Sequence, residues 1–283
     1  MKLLTWNIQW GRGADGRVDL DRTVAAIRAA GEFDVICLQE VACHFEGLAG
    51  GSGGDEVAHL VAAFAGYTPV FGAGVDVPGK HGGRALFGNL LLSRLPVGQV
   101  FRHLLPAPAD PGLPSMQRVC VEAVVTGARG PLRVLTTHLE YYSGRQRGAQ
   151  IEALRALQAE AAAQSKLPPP SREANPSFAA WPRPASAIVC GDFNCEPDAV
   201  EFARMQAPIG DGVPAWCDAW SVLNPGVPHP PSVGLHGADW PDRAYCCDFI
   251  FVTADIAPRV RALQVLADTP ASDHQPVILE LAD

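Results

Sequence analysis

The chain has 283 residues, which is long enough to bury a sizeable hydrophobic core. Hydrophobic residues make up 48% and charged residues 18% of it, a composition that excludes a disordered chain. The formal net charge of −8 excludes a general basic field that could hold long nucleic acids without regard to sequence.

Short apolar and β-branched runs bounded by turn residues predict a chain rich in strands. Each run is only five to eight residues long. In chain order the predicted strands cover residues 3–8, 34–40, 89–93, 118–125, 133–140, 187–193, 248–252 and 276–281.

Three segments between these strands carry the apolar spacing of helices, and they cover residues 19–31, 55–66 and 145–164. A Pro-rich stretch then breaks the third helix. Because a predicted strand follows directly, we interpret this stretch as a surface insertion around residues 166–185 rather than as a linker. The sequence therefore predicts one domain over residues 1–283.

Neither the cysteines nor the apolar runs indicate export or membrane insertion. The eight cysteines show no C-x-x-C spacing, the apolar start of the chain is too short for a signal peptide, and no run approaches the ~18 apolar residues of a membrane span. We expect a cytoplasmic monomer without stable membrane association.

Polar residues recur where the predicted strands end. Each has an ordinary structural alternative: Asp192 and Asn194 in Gly191-Asp192-Phe193-Asn194 are typical of a turn, and a lone histidine is most often held by structural hydrogen bonds. An ordered series of such residues indicates a site instead. The series is Asn7, Glu40, His138, Asp192, Asn194 and Asp248, with Asp273 and His274 directly before the last strand.

The same residues lie in an ordered set of short motifs that spans nearly the whole chain. This set resembles the endonuclease/exonuclease/phosphatase superfamily of metal-dependent phosphoesterases. The resemblance implies an α/β fold, a four-layer α/β sandwich of two packed mixed, mostly antiparallel β-sheets flanked by helices. The motifs are T-W-N (5–7), L-Q-E (38–40), G-N-x-x-L-S-R (88–94), T-H-L (137–139), G-D-x-N (191–194), D-F-I-F (248–251) and S-D-H (272–274).

The resemblance also implies roles. Glu40 is the principal ligand of Mg²⁺, for which Mn²⁺ can substitute, with Asn7 beside it and Asp273 assisting. Asp192 positions or deprotonates the attacking water, Asn194 and His138 contact phosphate oxygens, and Asp248 orients His274. Whether Asp192 or His274 is the general base stays open. These roles match what phosphate-ester hydrolysis requires, namely a hard cation, an activated water and donors to phosphate oxygens.

His138 matches the diesterase branches of the superfamily, so a nuclease or small phosphodiesterase ranks first, with a phosphate ester, nucleic acid among the candidates, as the partner. A sphingomyelin or phospholipid phosphodiesterase ranks second and an inositol-phosphate phosphatase third. A non-catalytic binding protein on the same fold is the alternative of another class. Because the chain is acidic, we expect weak binding to long duplex DNA.

Several weaker features stay open. Arg147 and Gln150 either match an R-x-x-Q feature of the family or form a solvated helix face. Asn89 is a candidate for orienting the site. Cys246 stands where relatives often carry arginine. We expect specificity in three loops, 42–56, 72–87 and 223–245. Their candidate phosphate-binding or stacking residues are His44, Lys80, His81, Arg84, His236, Trp240 and Arg243.

Overall fold

The computed structural model describes residues 1–80, 82–167, 176–238 and 240–283, and these form two six-stranded sheets. The strands are β1 (Lys2–Asn7), β2 (Val35–Cys43), β3 (Thr68–Pro78), β4 (Arg84–Ser93), β5 (Val97–Leu104), β6 (Val119–Gly127), β7 (Gly130–His138), β8 (Ala187–Asp192), β9 (Trp216–Asp218), β10 (Asp248–Thr253), β11 (Val260–Val265) and β12 (Val277–Leu281). The α-helices are α1 (Leu20–Ala30), α2 (Glu56–Ala63), α3 (Gly144–Gln164), α4 (Val200–Gln206) and α5 (Ala219–Leu223).

Both sheets are mixed. The first has the order β11-β12-β1-β2-β4-β3 and the second β5-β6-β7-β8-β10-β9. Each contains one parallel pair near its middle, β1 with β2 and β7 with β8, and the other pairs are antiparallel. The predicted mixed, mostly antiparallel sheets are confirmed.

Three apolar layers hold the structure together. The middle layer lies between the two sheets and includes Leu3 of β1 and Ile188 of β8. A second layer packs α1 and α2 against the first sheet, for example through Ile27 and Leu60. The third packs α3 and α4 on the second sheet, for example through Leu154 and Phe202. This helix–sheet–sheet–helix order is the predicted four-layer sandwich.

Local sequence accounts for the helix starts. Asp19, Asp55 and Ser143 each precede a helix, and each side chain accepts a backbone N–H three residues further on. Such N-caps satisfy donors that the first helical turn leaves free. All eight predicted strands and the three predicted helices are present, whereas β3, β5, β9, β11, α4 and α5 were not predicted.

The prediction of a loop over residues 72–87 is wrong, because the segment belongs largely to the β3–β4 hairpin. Its glycines allow close packing: a Cβ at Gly88 would lie 2.0 Å from the Gly72 carbonyl oxygen, and one at Gly74 would lie 2.4 Å from that of Gln117. Of the predicted insertion 166–185, residues 168–175 lie outside the described residues. No helix in the described ranges is long and apolar enough to cross a membrane.

Candidate active site

The two parallel strand pairs place polar side chains at one edge of the sandwich. Asn7, the last residue of β1, pairs with Gln39 of β2, and His138 pairs with Asp192 at the end of β7 and β8. Since parallel strands end at the same edge of a sheet, and the two sheets pack face to face, these ends meet. Asn7 Nδ2 donates to Asp192 Oδ2 across the two sheets at 3.1 Å.

Asp192 both terminates its strand and faces the site. Its Oδ1 accepts the backbone N–H of Asn194 at 2.8 Å, which forms the expected Asx turn, and Asn194 has φ 50. Its Oδ2 lies 3.5 Å from His138 Nε2 and 3.7 Å from His274 Nε2. Burial raises the pKa of Asp192 to about 6, and nearby His274 opposes this rise. The turn and the site are therefore two uses of one carboxylate.

Glu40 reaches the site because β2 contains a bulge. The pairing of β2 with β4 shifts register between Leu38 and Val41, and Glu40 has φ 57 in the left-handed region. Bulges of this kind re-aim side chains near functional sites. Glu40 Oε1 accepts from Asn7 Nδ2 at 3.0 Å. Burial, followed by repulsion from the Asp273 carboxylate, raises the pKa of Glu40 to about 7.

His274 and Asp248 form a buried pair. His274 Nδ1 lies 2.9 Å from Asp248 Oδ2, which also accepts the Ser232 hydroxyl at 2.7 Å. Burial alone would lower the pKa of His274, but the Asp248 and Asp192 carboxylates outweigh it and raise this pKa well above its usual value. At neutral pH the imidazole is therefore held as a cation beside Asp192.

His138 has the opposite protonation. It lies 3.8 Å from Glu40 Oε1 through Nδ1, and burial, assisted by the positive charges of Arg118 and His274, lowers its pKa well below the usual value. A neutral imidazole can still donate one hydrogen bond. His138 therefore offers a donor that does not change charge with pH near neutrality.

The oxygen ligands around Glu40 fit a hard dication such as Mg²⁺. Asp273 Oδ2 accepts from Gln9 Nε2 at 2.7 Å, and Gln9 Oε1 is buried without a hydrogen-bond partner among the described residues. Atoms of Asp192, Cys247 and His274 also lie within 4.8 Å of one another. That group suits Mg²⁺ poorly, because a thiol is a soft ligand, and burial raises the Cys247 pKa well above its usual value.

These residues border an open cleft of about 410 Å³. The predicted site residues Glu40, His138, Asp192, Asn194, Asp273 and His274 line the cleft, while Asn7 and Asp248 lie behind them. Asn194 Nδ2 donates to the Leu139 carbonyl oxygen at 2.9 Å, so this amide is engaged within the protein. The eight residues predicted from strand ends thus form one contiguous cluster.

Arg118 was not predicted from sequence. It lines the cleft and is buried, its Nε lies 3.3 Å from Glu140 Oε2, and its Nη1 has no hydrogen-bond partner within the described part of the chain. Asn89 supports the adjacent backbone by donating to the Val119 carbonyl oxygen at 2.9 Å. A buried guanidinium with a free N–H is suited to an anionic oxygen.

Arg147 and Gln150 hold the segment that follows β7. Arg147 Nη1 donates to the carbonyl oxygens of Glu140 and Tyr141, and Gln150 Oε1 accepts the Glu140 backbone N–H. Gln150 is fully buried, so the interpretation as a solvated helix face is wrong for that residue.

Most of the candidate specificity residues pair elsewhere. Lys80 lies 3.8 Å from Glu46, Arg84 2.6 Å from Asp76, and Arg243 contacts Glu196. Among the described residues that line the cleft, Trp240 is the one member of that set, and His81 lies outside the described residues. Both Cys246 and Cys247 are buried free thiols, as expected for a small-residue pair.

The fold and this cluster of carboxylates, histidines and amide define a phosphoesterase. The model of the Endonuclease/Exonuclease/phosphatase family matches residues 4–167. The chain belongs to the endonuclease/exonuclease/phosphatase family. A comparison with curated proteins gives no match.

Solved structures of the same fold resemble the whole chain. An endonuclease/exonuclease/phosphatase from Beutenbergia cavernae is 25% identical, with a TM-score of 0.64, and the match covers 100% of this chain and 72% of that one. A mannosyl-6-phosphatase from Bacteroides thetaiotaomicron is 16% identical, with a TM-score of 0.66 and full coverage of both chains. The human nocturnin catalytic domain is 19% identical, with a TM-score of 0.63, covering 99% and 93%.

Proposed function

We propose that this protein is a phosphodiesterase that requires Mg²⁺, or Mn²⁺ as a substitute, and that hydrolyses nucleic acid or another small phosphodiester. One observation carries the proposal: Asn7 Nδ2 donates both to Glu40 Oε1 and to Asp192 Oδ2. A carboxylate suited to a hard cation is thereby held next to a carboxylate suited to an attacking water.

Glu40 is the principal ligand of the dication, with Asp273 assisting. Asn7, expected beside them as a ligand, instead orients Glu40, because its Nδ2 donates to that carboxylate and its Oδ1 accepts the Gln9 backbone N–H. When bound, the ion neutralises phosphate charge and polarises the ester. The high pKa that burial and Asp273 impose on Glu40 supports this assignment, because a nearby cation relieves that repulsion.

Asp192 takes the proton of the attacking water, whose oxygen forms the new bond to phosphorus as the bond to the leaving oxygen breaks, and the alkoxide released takes a proton from solvent. A pKa of about 6 suits a base that works near neutral pH. His274 does not serve as the base, because Asp248 and Asp192 hold it protonated; its N–H instead stabilises the charge that develops on phosphate.

His138 and Arg118 bind the phosphate oxygens that do not react. Neutral His138 donates one hydrogen bond, and Arg118 supplies positive charge through its free Nη1. A diester carries a single negative charge. Arg118 and the dication can balance this charge, while His138 adds a hydrogen bond. Asn194 lines the same cleft and is the third residue proposed to contact phosphate oxygens.

The test is hydrolysis of bis-p-nitrophenyl phosphate, short DNA and RNA, sphingomyelin, inositol polyphosphates and mannose 6-phosphate, each with Mg²⁺, Mn²⁺ or EDTA. We expect metal-dependent turnover of the diesters, with none in EDTA. Asp192→Asn, purified identically, controls for contaminating hydrolases. The proposed substrate class would be contradicted if only the monoesters or sphingomyelin were hydrolysed and every other diester were left intact. Full activity in EDTA would contradict the proposed metal requirement.

The effect of pH on metal binding provides a second prediction. The pKa of Glu40 is raised to about 7 in the folded state from 4.5. In EDTA, Glu40 therefore contributes to the free energy of unfolding below pH 4.5, and this contribution, about 3 kcal/mol, is lost as pH rises through 7. The cation binds the ionised form. Mg²⁺ at ~100 times its Kd should therefore raise Tm by about 5 °C at pH 8 and clearly less at pH 5.

Thermal unfolding at both pH values, with Mg²⁺ or EDTA, measures this effect. Glu40→Gln, which removes the titrating group, should remove most of the difference between the two pH values. An equal Mg²⁺-induced shift at pH 5 and pH 8 in the wild type would show that the ion binds away from Glu40.

The surroundings of the protein are also part of the proposal. All eight cysteines are free, and unpaired thiols are typical of reducing compartments. This supports a cytoplasmic enzyme; that it acts as a monomer and without stable membrane association is part of the same proposal.

A further inference from the structure

An aromatic shelf borders one side of the catalytic cleft. We define it as Tyr141, Tyr142 and Trp240, all of which line the cleft. Their exposed fractions are 38%, 56% and 45%, so large ring surfaces face solvent beside the catalytic residues. Exposed aromatic rings at a site are costly unless they contact a ligand.

The shelf is built rigidly from two distant segments. The rings of Tyr141 and Trp240 meet edge to face, with centroids 5.2 Å apart, and those of Tyr141 and Tyr142 do the same at 4.8 Å. Arg147 donates to the Tyr141 carbonyl oxygen at 3.1 Å, and Arg243 joins the Trp240 segment to Glu196. Because the rings are perpendicular, they leave open faces against which a flat group can stack.

The rest of the cleft wall restricts what the shelf can bind. Among the described residues that line it, Arg118 is the one lysine or arginine, which suits one phosphate group rather than a polyphosphate. Met116 is the one aliphatic side chain, so the apolar surface of the cleft is mainly aromatic and suits a flat group.

We propose that the aromatic shelf is a specificity site that binds a planar aromatic ring, such as a nucleobase, attached to the single phosphate held by Arg118 and His138. This inference rests on the proposed phosphoesterase function and names its substrate class. The shelf selects short, ring-bearing esters over long polyanions, in agreement with the net charge of −8.

The test compares two substrates with the same leaving group, the p-nitrophenyl ester of thymidine 5′-phosphate and ethyl p-nitrophenyl phosphate, so that the nitrophenyl ring present in both cancels and the comparison reports the ring on the group that stays on phosphate. We expect kcat/KM to favour the nucleotide by about 5- to 150-fold, the range for stacking one base on aromatic side chains. Trp240→Ala should reduce this preference to about 3-fold or less while changing the ethyl ester little. Trp181→Ala, which removes another exposed tryptophan, should leave the preference intact.

A binding measurement separates the shelf from catalysis. In the Asp192→Asn variant with Mg²⁺, AMP should bind at least about 5-fold more tightly than ribose 5-phosphate or mannose 6-phosphate, and Trp240→Ala should remove the difference. Phenyl phosphate, tested alongside, tells whether any aromatic ring suffices. Tight AMP binding in this variant, together with no turnover of any phosphodiester by the wild type, would overturn the proposed function and keep the shelf. Equal binding of AMP and the sugar phosphates, or equal losses for both substrates in Trp240→Ala, would overturn the shelf.

Discussion

Replacing His274 by alanine is expected to lower kcat by about 10²-fold or more, the usual scale for removing a positioned proton-bearing group. Asp248→Asn is expected to lower it as well, because an amide cannot supply the charge that keeps His274 protonated. The Ser232 hydroxyl can still donate a hydrogen bond to the new amide oxygen, so we expect the variant to fold. Steady-state kinetics on bis-p-nitrophenyl phosphate measures both losses.

The double variant Asp248→Asn/His274→Ala decides whether the two residues act as one unit. If they do, its loss should be close to that of His274→Ala alone, because Asp248 acts only through the imidazole. Strictly additive losses would contradict the pair. The pH–rate profile provides a measurement that a purely structural role would not change. In Asp248→Asn the rate should fall at a lower pH than in the wild type, because His274 loses its proton at that lower pH.

The protein contains a matched control for this experiment. His229 Nε2 lies 2.9 Å from Asp218 Oδ2, the same distance as in the His274–Asp248 pair. Asp218 is buried, His229 is half-buried, and neither lines the cleft. His229→Ala and Asp218→Asn should cost stability, since Asp218 also caps α5, but should leave kcat within about 3-fold. A similar loss of kcat in the control pair would show that general destabilisation explains both.

Sequence alone predicted the part of the site that depends on strand ends. Asn7, His138 and Asp192 follow apolar runs, and the ends of parallel strands necessarily meet at one edge. Their separation in sequence does not matter once the sheets pair. Asp192 forms the predicted turn with one carboxylate oxygen, while the other oxygen accepts from Asn7 at the cleft; its role in catalysis stays a prediction.

The remaining parts of the site depend on contacts that no local pattern records. Arg118 follows an irregular segment, and its partner Glu140 is 22 residues away. Tyr141 and Trp240 meet only after the sheets have packed. The edge strands β5 and β11 were missed because polar residues, among them Arg102 and Arg261, interrupt their apolar residues and weaken the apolar signal. Specificity is therefore less predictable than the catalytic cluster.

Replacing Glu40 by glutamine is expected to reduce activity strongly at subsaturating Mg²⁺. The loss should exceed that from removing a group that only supports a metal ligand, which is about 10- to 100-fold. The substitution conserves shape, and its Oε1 can still accept from Asn7 Nδ2, now 3.0 Å away. Only the charge is lost, and a neutral amide is a poor ligand for a hard dication. Mg²⁺ titrations of the rate should show a raised apparent Kd together with a lower maximum.

Glu56→Gln is the control for this substitution. Glu56 is also a buried carboxylate whose pKa burial raises to about 7, but it accepts the Ala42 backbone N–H and does not line the cleft. A glutamine at position 56 keeps an oxygen for that hydrogen bond, so the Mg²⁺ titration should match the wild type. If Glu56→Gln and Glu40→Gln weakened Mg²⁺ binding equally, the effect would be one of overall charge, and Glu40 would not be the ligand. If Glu40→Gln left the titration unchanged, the ion would have to be held elsewhere.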